Sequence, residues 1–143
     1  MIRLTRRYRF AASHRLHQPV FSEEENRRIY GKCNNPFGHG HNYVLSVTVA
    51  GVPDPVSGRV ADPKALDRFI EKNVIRAFDH RNLNIEAEEF AGGGAPPTTE
   101  CLALAIRDRL LRDWSLAFPE GAPRLDRISL EETPNNKFEL RCP

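Results

Sequence analysis

Residues 39 to 51 read HGHNYVLSVTVAG and alternate strictly, with Tyr43, Leu45, Val47 and Val49 on one face. A second stretch, 3 to 16, does the same, with Tyr8, Phe10, Ala12, His14 and Leu16 on one face and Arg7, Arg9, Ser13 and Arg15 on the other. A period of two is the signature of a half-buried β-strand and is incompatible with a helix. The turn-forming run GVPDPVSGR closes the end of the resulting hairpin.

Further along, the period changes. Asp62 is a plausible N-cap with Pro63 at the first helical position, and Leu66, Phe69, Ile70, Val74 and Phe78 follow helical spacing. AGGGAPP breaks the pattern. Thr98 or Thr99 then caps a second helix carrying Leu102, Ile106, Leu110 and Leu111. LDRISLEET and NKFELRC read as two strands joined at PNN. The order is strand, strand, helix, helix, strand, strand: an α+β chain forming one domain over 1–143. SEEENRR reads as a short helical run with a solvated face.

With 143 residues, 28% charged and 40% hydrophobic, the chain is long enough for one buried core. A net charge of +2 is too mild for a nucleic-acid binder. The segment MIRLTRRYRF has no signal-peptide core and no stretch approaches a membrane span, which predicts a cytoplasmic protein. Three cysteines, Cys33, Cys101 and Cys142, with no CxxC, fit neither a disulfide framework nor a four-cysteine zinc cage. Cys101 is expected in the core and Cys142 in a frayed end.

His39 and His41, two apart on a strand, leave the same face. His14 lies at matching parity near the end of the other strand. Three imidazoles would leave one position of a tetrahedral zinc open, the catalytic pattern; the competing reading is a set of half-buried histidines. His17 is off that face and expected on the surface. Five residues separate Cys33 from His39 in YGKCNNPFGHGHNY. It is open to three readings: a fourth ligand, a buried thiol, or a catalyst needing a neighbouring base. Asp79 and His80 in FDHRNLN could supply that base or bond only locally. Glu131 and Glu132 leave a strand end on opposite faces, so one of them could meet a ligand while the other meets solvent.

FAASHRL, YGKCNNPFGHGHNY, FDHRNLN, PTTE and EETPNN, in this order, resemble the 6-pyruvoyl-tetrahydropterin synthase family over nearly the whole chain. The resemblance implies the tunnelling fold, a ββααββ subunit with a four-stranded antiparallel sheet and two helices on one face, joined to its neighbours in an oligomeric barrel. It implies zinc on His14, His39 and His41, and a proton-transfer group of Cys33, Asp79 and His80. Glu132 would anchor the pterin, and Thr98, Thr99 and Glu100 would line its pocket. The implied reaction is a lyase step on 7,8-dihydroneopterin triphosphate, giving 6-pyruvoyl-tetrahydropterin and triphosphate, with magnesium accompanying the phosphates. The implied assembly is a homo-hexamer of two trimers with active sites between subunits. The five-residue spacing and CNNP resemble the pyruvoyl-forming branch; the carboxytetrahydropterin synthases of deazapurine (queuosine) biosynthesis are the related alternative, and a non-catalytic pterin-binding module is the other. Phe37 stands where asparagine is common in the family.

Overall fold

The computed structural model describes residues 1–119 and 123–143. Strands β1 (Ile2–His14) and β2 (His39–Gly51) pair antiparallel over their full length, from Ile2 opposite Gly51 to His14 opposite His39. Between them lie helix α1 (Glu23–Tyr30) and a single tighter turn, Gly31–Asn34. Ser22 caps α1 in a reciprocal box with Glu25, each side chain bonded to the other's backbone N–H. Helix α2 (Pro63–Ile70) starts at the Asp62 cap, as the spacing predicts, and runs through a wider turn, Glu71–Ile75, into α3 (Arg76–Phe78). In that turn the buried Asn73 side chain donates to the Phe69 carbonyl at 2.9 Å, competing with the regular backbone ladder.

The remaining elements are β3 (Arg81–Asn82), α4 (Leu83–Glu86), α5 (Thr99–Ala117), β4 (Arg124–Thr133) and β5 (Asn136–Arg141). The sheet order is β3-β1-β2-β4-β5. The four long strands are antiparallel as expected, but β3 pairs parallel to β1 and makes the sheet mixed. Two residues carry no readable period, so β3 could not be seen in the sequence. Helix α1 falls on the SEEENRR run read as helical, and α4 is additional to the helices expected.

Alternation and helical spacing meet in one core. Phe10, Tyr43, Leu45 and Val47 from the sheet pack with Leu66, Ile70 and Phe78 from α2–α3 and Leu102, Ile106 and Leu110 from α5. Cys142 corrects its expectation: it is buried, because its N–H bonds Asp126 O at 2.9 Å and extends the β5 edge inward. Cys101 is half-buried against the core. None of the helices among the described residues is long and apolar enough to cross a membrane.

Leu45 has no exposed surface and sits on the central strand. Leu45→Ala should therefore lower stability by about 2–5 kcal/mol, the range for a buried leucine. A urea titration checks this; a loss below about 1 kcal/mol would mean the core collapses freely around the deletion.

Candidate metal centre and active site

The β1–β2 register sets His14 opposite His39 and Ala12 opposite His41, so the three imidazoles meet at the strand ends. His14 Nε2 lies 3.1 Å from His39 Nε2, and His39 Nε2 lies 2.9 Å from His41 Nε2. The rings stand nearly perpendicular, at 79°, 85° and 89° to one another. His14 is buried, and its Nδ1–H donates to the Pro97 carbonyl at 2.8 Å. That bond fixes the tautomer and leaves the Nε2 lone pair free. Burial pushes the pKa of His14 and of His41 down, which favours the neutral, ligating form.

A tetrahedral zinc at about 2.0–2.1 Å from each nitrogen requires N···N separations of roughly 3.3 Å. The observed separations are within a few tenths of an ångström of that. Converging lone pairs repel unless a cation lies among them, so the donor set fits a metal with one position open.

The loop before β2 is tied to the end of β1. Leu16 N–H donates to Cys33 O at 2.8 Å, and the buried Asn34 amide donates to Leu16 O at 2.7 Å and to His17 Nδ1 at 3.0 Å. Gly38 adopts φ of 71°, and a Cβ there would sit 2.9 Å from His14 O, so only glycine allows this approach to the ligand strand. A cavity of about 870 Å³ opens in front, with Cys33, His39 and His41 on its walls and Arg15, Arg27, Lys32 and His17 also lining it. His17 is thus no isolated surface residue: Asn34 turns its ring so that Nε2 carries the proton. Arg27 and Glu23 of the charged helix also line this cavity rather than serving only a solvated face. Phe37 is 96% exposed and is not among the lining residues. Burial, and then the charge of Glu132, push the Cys33 thiol up from its ordinary value.

Glu132 faces the centre. Its Oε1 is 3.3 Å from His41 Nε2 and 3.8 Å from His14 Nε2, with 14% of the side chain exposed. Glu131 instead pairs across the sheet with Val44 and Lys137, and the register shifts between Glu131 and Thr133. The PTTE segment divides. Thr98 Oγ1 is occupied as the α5 cap, accepting from Cys101 N–H at 3.1 Å. Thr99 is buried and Glu100 exposed. Tyr43 was legible only as a core residue; its hydroxyl, like that of Thr99, is buried without a hydrogen-bond partner among the described residues. Its parity with His41 is the one sequence signal that could have placed it here.

Asp79 and His80 form a local unit at the β1 edge. Asp79 Oδ1 accepts from Ala11 N–H at 2.9 Å, and Oδ2 accepts from His80 Nδ1 at 3.0 Å. The Ala11 bond foremost, with help from His80, holds the Asp79 carboxyl below its usual range. His80 has φ of 59°, a left-handed conformation sustained by its N–H bond to Ala11 O at 2.6 Å. Its ring is 83% exposed and lines a different depression from the one holding Cys33; His41 is the residue common to both. Within one chain the thiol and the Asp79–His80 pair therefore stand in separate cavities.

The model of the 6-pyruvoyl tetrahydropterin synthase family matches residues 3–142. The chain belongs to that family. It is 42% identical over 140 residues to the 6-pyruvoyl tetrahydrobiopterin synthase of Drosophila melanogaster, covering 98% of this chain and 79% of that one. To the enzyme of the same name from Homo sapiens it is 41% identical over 133 residues, covering 93% and 86%. The solved structure of Caenorhabditis elegans 6-pyruvoyl tetrahydropterin synthase superposes with a TM-score of 0.87 at 36% identity, covering 99% of this chain and 96% of that one.

The raised Cys33 pKa has a measurable consequence. In metal-stripped protein at pH 8, iodoacetamide should alkylate Cys33 several-fold more slowly than a free cysteine, and zinc loading should speed the reaction because its positive charge stabilises the thiolate once the proton has left to solvent. Mass spectrometry of the peptide containing Cys33 gives both rates; equal rates with and without metal would contradict this coupling.

Proposed function

We propose that this protein is a zinc-dependent 6-pyruvoyl-tetrahydropterin synthase, a carbon–oxygen lyase that converts 7,8-dihydroneopterin triphosphate to 6-pyruvoyl-tetrahydropterin and triphosphate. The observation that carries the reading is the meeting of three imidazoles at one point, two of them on the wall of the cavity that also holds the thiol and a cationic rim. Family membership and the similarity to named synthases support it.

Bound to His14, His39 and His41, zinc would supply a positive charge that acidifies the substrate's side-chain hydroxyls and neighbouring C–H bonds. The chain's own groups do the rest. Glu132 accepts from the pterin's amino and ring N–H groups, and Thr99 lines the same pocket. Cys33, as thiolate, removes side-chain protons. His80, with Nδ1 held by Asp79, carries its basic Nε2 outward and returns or shuttles them. Proton transfer from the first side-chain carbon to the ring turns a carbinol into a carbonyl while the ring C=N bond is reduced. Loss of the next proton expels triphosphate, and the enol formed tautomerises to a methyl ketone. The electrons balance internally, so no redox cofactor is needed.

Because His80 lines a different cavity from the chain's own Cys33, the pair serving each thiol is assigned to a neighbouring subunit of a homo-hexamer built from two trimers. The open edge of β5 is the kind of surface such assembly pairs. Arg15, Arg27 and Lys32 are assigned to the triphosphate, with magnesium travelling with it. Among the described residues none of the three is in an ion pair, and the backbone of Arg15 is braced: the Asn84 amide accepts from Arg15 N–H and donates to Arg15 O.

Incubating the zinc-loaded protein with 7,8-dihydroneopterin triphosphate should release triphosphate and 6-pyruvoyl-tetrahydropterin, identified by mass spectrometry. Cys33→Ala should keep zinc and lose about 10²–10⁴-fold in turnover. A 6-carboxy product would move the chain to the other branch, and binding without turnover would make it a module. The double variant Arg15→Ala, Lys32→Ala should raise KM by about tenfold or more, roughly 1.4 kcal/mol. Its affinity for unphosphorylated 7,8-dihydroneopterin should be unchanged; an equal loss for both ligands would remove the rim from the phosphate role.

A further inference from the structure

Residues 15 to 17 leave the end of β1 beside the thiol loop and are held on both sides. Asn84 of α4 bonds the Arg15 backbone, and Leu16 N–H donates to Cys33 O at 2.8 Å. Leu16 is buried, while Arg15 and His17 on either side of it are half-buried and line the cavity that holds Cys33. One buried residue, Asn34, then sets both of these side chains. Its backbone carbonyl accepts from Arg15 Nε at 3.2 Å, and its side-chain Nδ2 reaches Leu16 O at 2.7 Å and His17 Nδ1 at 3.0 Å.

These bonds fix what each side chain has left to offer. A carbonyl oxygen can only accept, so the Asn34 group against Leu16 O is the NH2, and its second hydrogen serves His17 Nδ1. His17 Nδ1 is therefore an acceptor, and in the neutral ring the proton sits on Nε2. A protonated Nε2 has no lone pair to give a metal; it is a donor. Arg15 spends only Nε on Asn34, which leaves the N–H groups of both terminal nitrogens. Among the described residues, neither His17 Nε2 nor these terminal nitrogens have a hydrogen-bond partner. Glu23 is the one carboxylate on this cavity wall, and it pairs with neither side chain. Two oriented donors with unspent N–H groups, one of them cationic, suit the oxygens of a phosphate. Their position suits a particular one. The carbons that lose protons to Cys33 must lie within reach of its sulfur, and the first phosphate is attached one carbon beyond them.

We infer that His17 Nε2–H and the Arg15 guanidinium together hold the phosphate esterified to the reacting side chain, with His17 a neutral donor whose tautomer is set by Asn34. That this phosphate belongs to a pterin depends on the function proposed above. The role of His17, and the choice of phosphate, go beyond it.

The test compares 7,8-dihydroneopterin with its monophosphate, by fluorescence titration of zinc-loaded full-length protein. His17→Phe keeps a ring and removes the donor, whereas His17→Gln puts an amide N–H near the place of Nε2. The wild type should bind the monophosphate more tightly than the unphosphorylated pterin. His17→Phe should weaken the monophosphate by about tenfold or more, the scale of one hydrogen bond to a charged group, and leave dihydroneopterin unchanged. His17→Gln should recover most of that loss, and both variants should keep their zinc. Equal losses for the two ligands would overturn the inference, since the ring would then serve the pterin or the wall. So would wild-type affinity for the monophosphate in His17→Phe, a His17→Gln variant as weak as His17→Phe, a wild type that binds both ligands alike, or loss of zinc in either variant. If the monophosphate binds through His17 while 7,8-dihydroneopterin triphosphate gives no 6-pyruvoyl-tetrahydropterin, the proposed function fails and the phosphate contact stands.

Discussion

Everything at the candidate centre depends on the antiparallel register of β1 and β2. His14 opposite His39 is the last pair of a thirteen-residue ladder, and a slip by one residue would carry His14 to the bare face of the sheet. The register is anchored by burial: Phe10 stacks on Tyr43 with ring centroids 5.1 Å apart, and Tyr43, Leu45, Val47 and Val49 lie wholly inside. Core packing and ligand geometry are thus one constraint. The apolar side chains that make the strands a sheet also fix the separation of the imidazoles.

A second layer converts that frame into chemistry. The Pro97 carbonyl selects the His14 tautomer, the Asn34 amide locks the thiol loop to the end of β1, and the Ala11 backbone holds both Asp79 and His80. Each tie runs between segments far apart in sequence and is made at the end of a strand or in the loop beside it. The electrostatics are opposed by design of the fold. Burial favours the neutral form of His14 and His41 and the protonated form of the Cys33 thiol, and a cation held in the centre would pull the thiol the other way.

Much of this was legible in the sequence, for definite reasons. Period two exposed β1, β2, β4 and β5, and Asp62-Pro63 marked the start of α2. The common parity of His14, His39 and His41 survives folding because strand geometry preserves parity. The rest was hidden because it depends on contacts between distant segments. The residues of β3 are too few for a period. His17 depends on an amide seventeen residues away. Cys142 depends on the carbonyl of Asp126 across the hairpin. Thr98 and Thr99 are adjacent and chemically identical, yet one is spent as a cap and the other is buried; only the helix start separates them. Tyr43 reads as core by its alternation, and only the missing partner of its hydroxyl shows more.

The central claim is that three imidazoles, and not the thiol, hold the metal. X-ray absorption at the zinc edge of the loaded protein tests it directly. The account predicts a first shell of nitrogen and oxygen only, at about 2.0–2.1 Å, with the outer-shell pattern of three imidazole rings. A sulfur at about 2.3 Å would make Cys33 a ligand, close the open position, and contradict both the centre and the role given to the thiol.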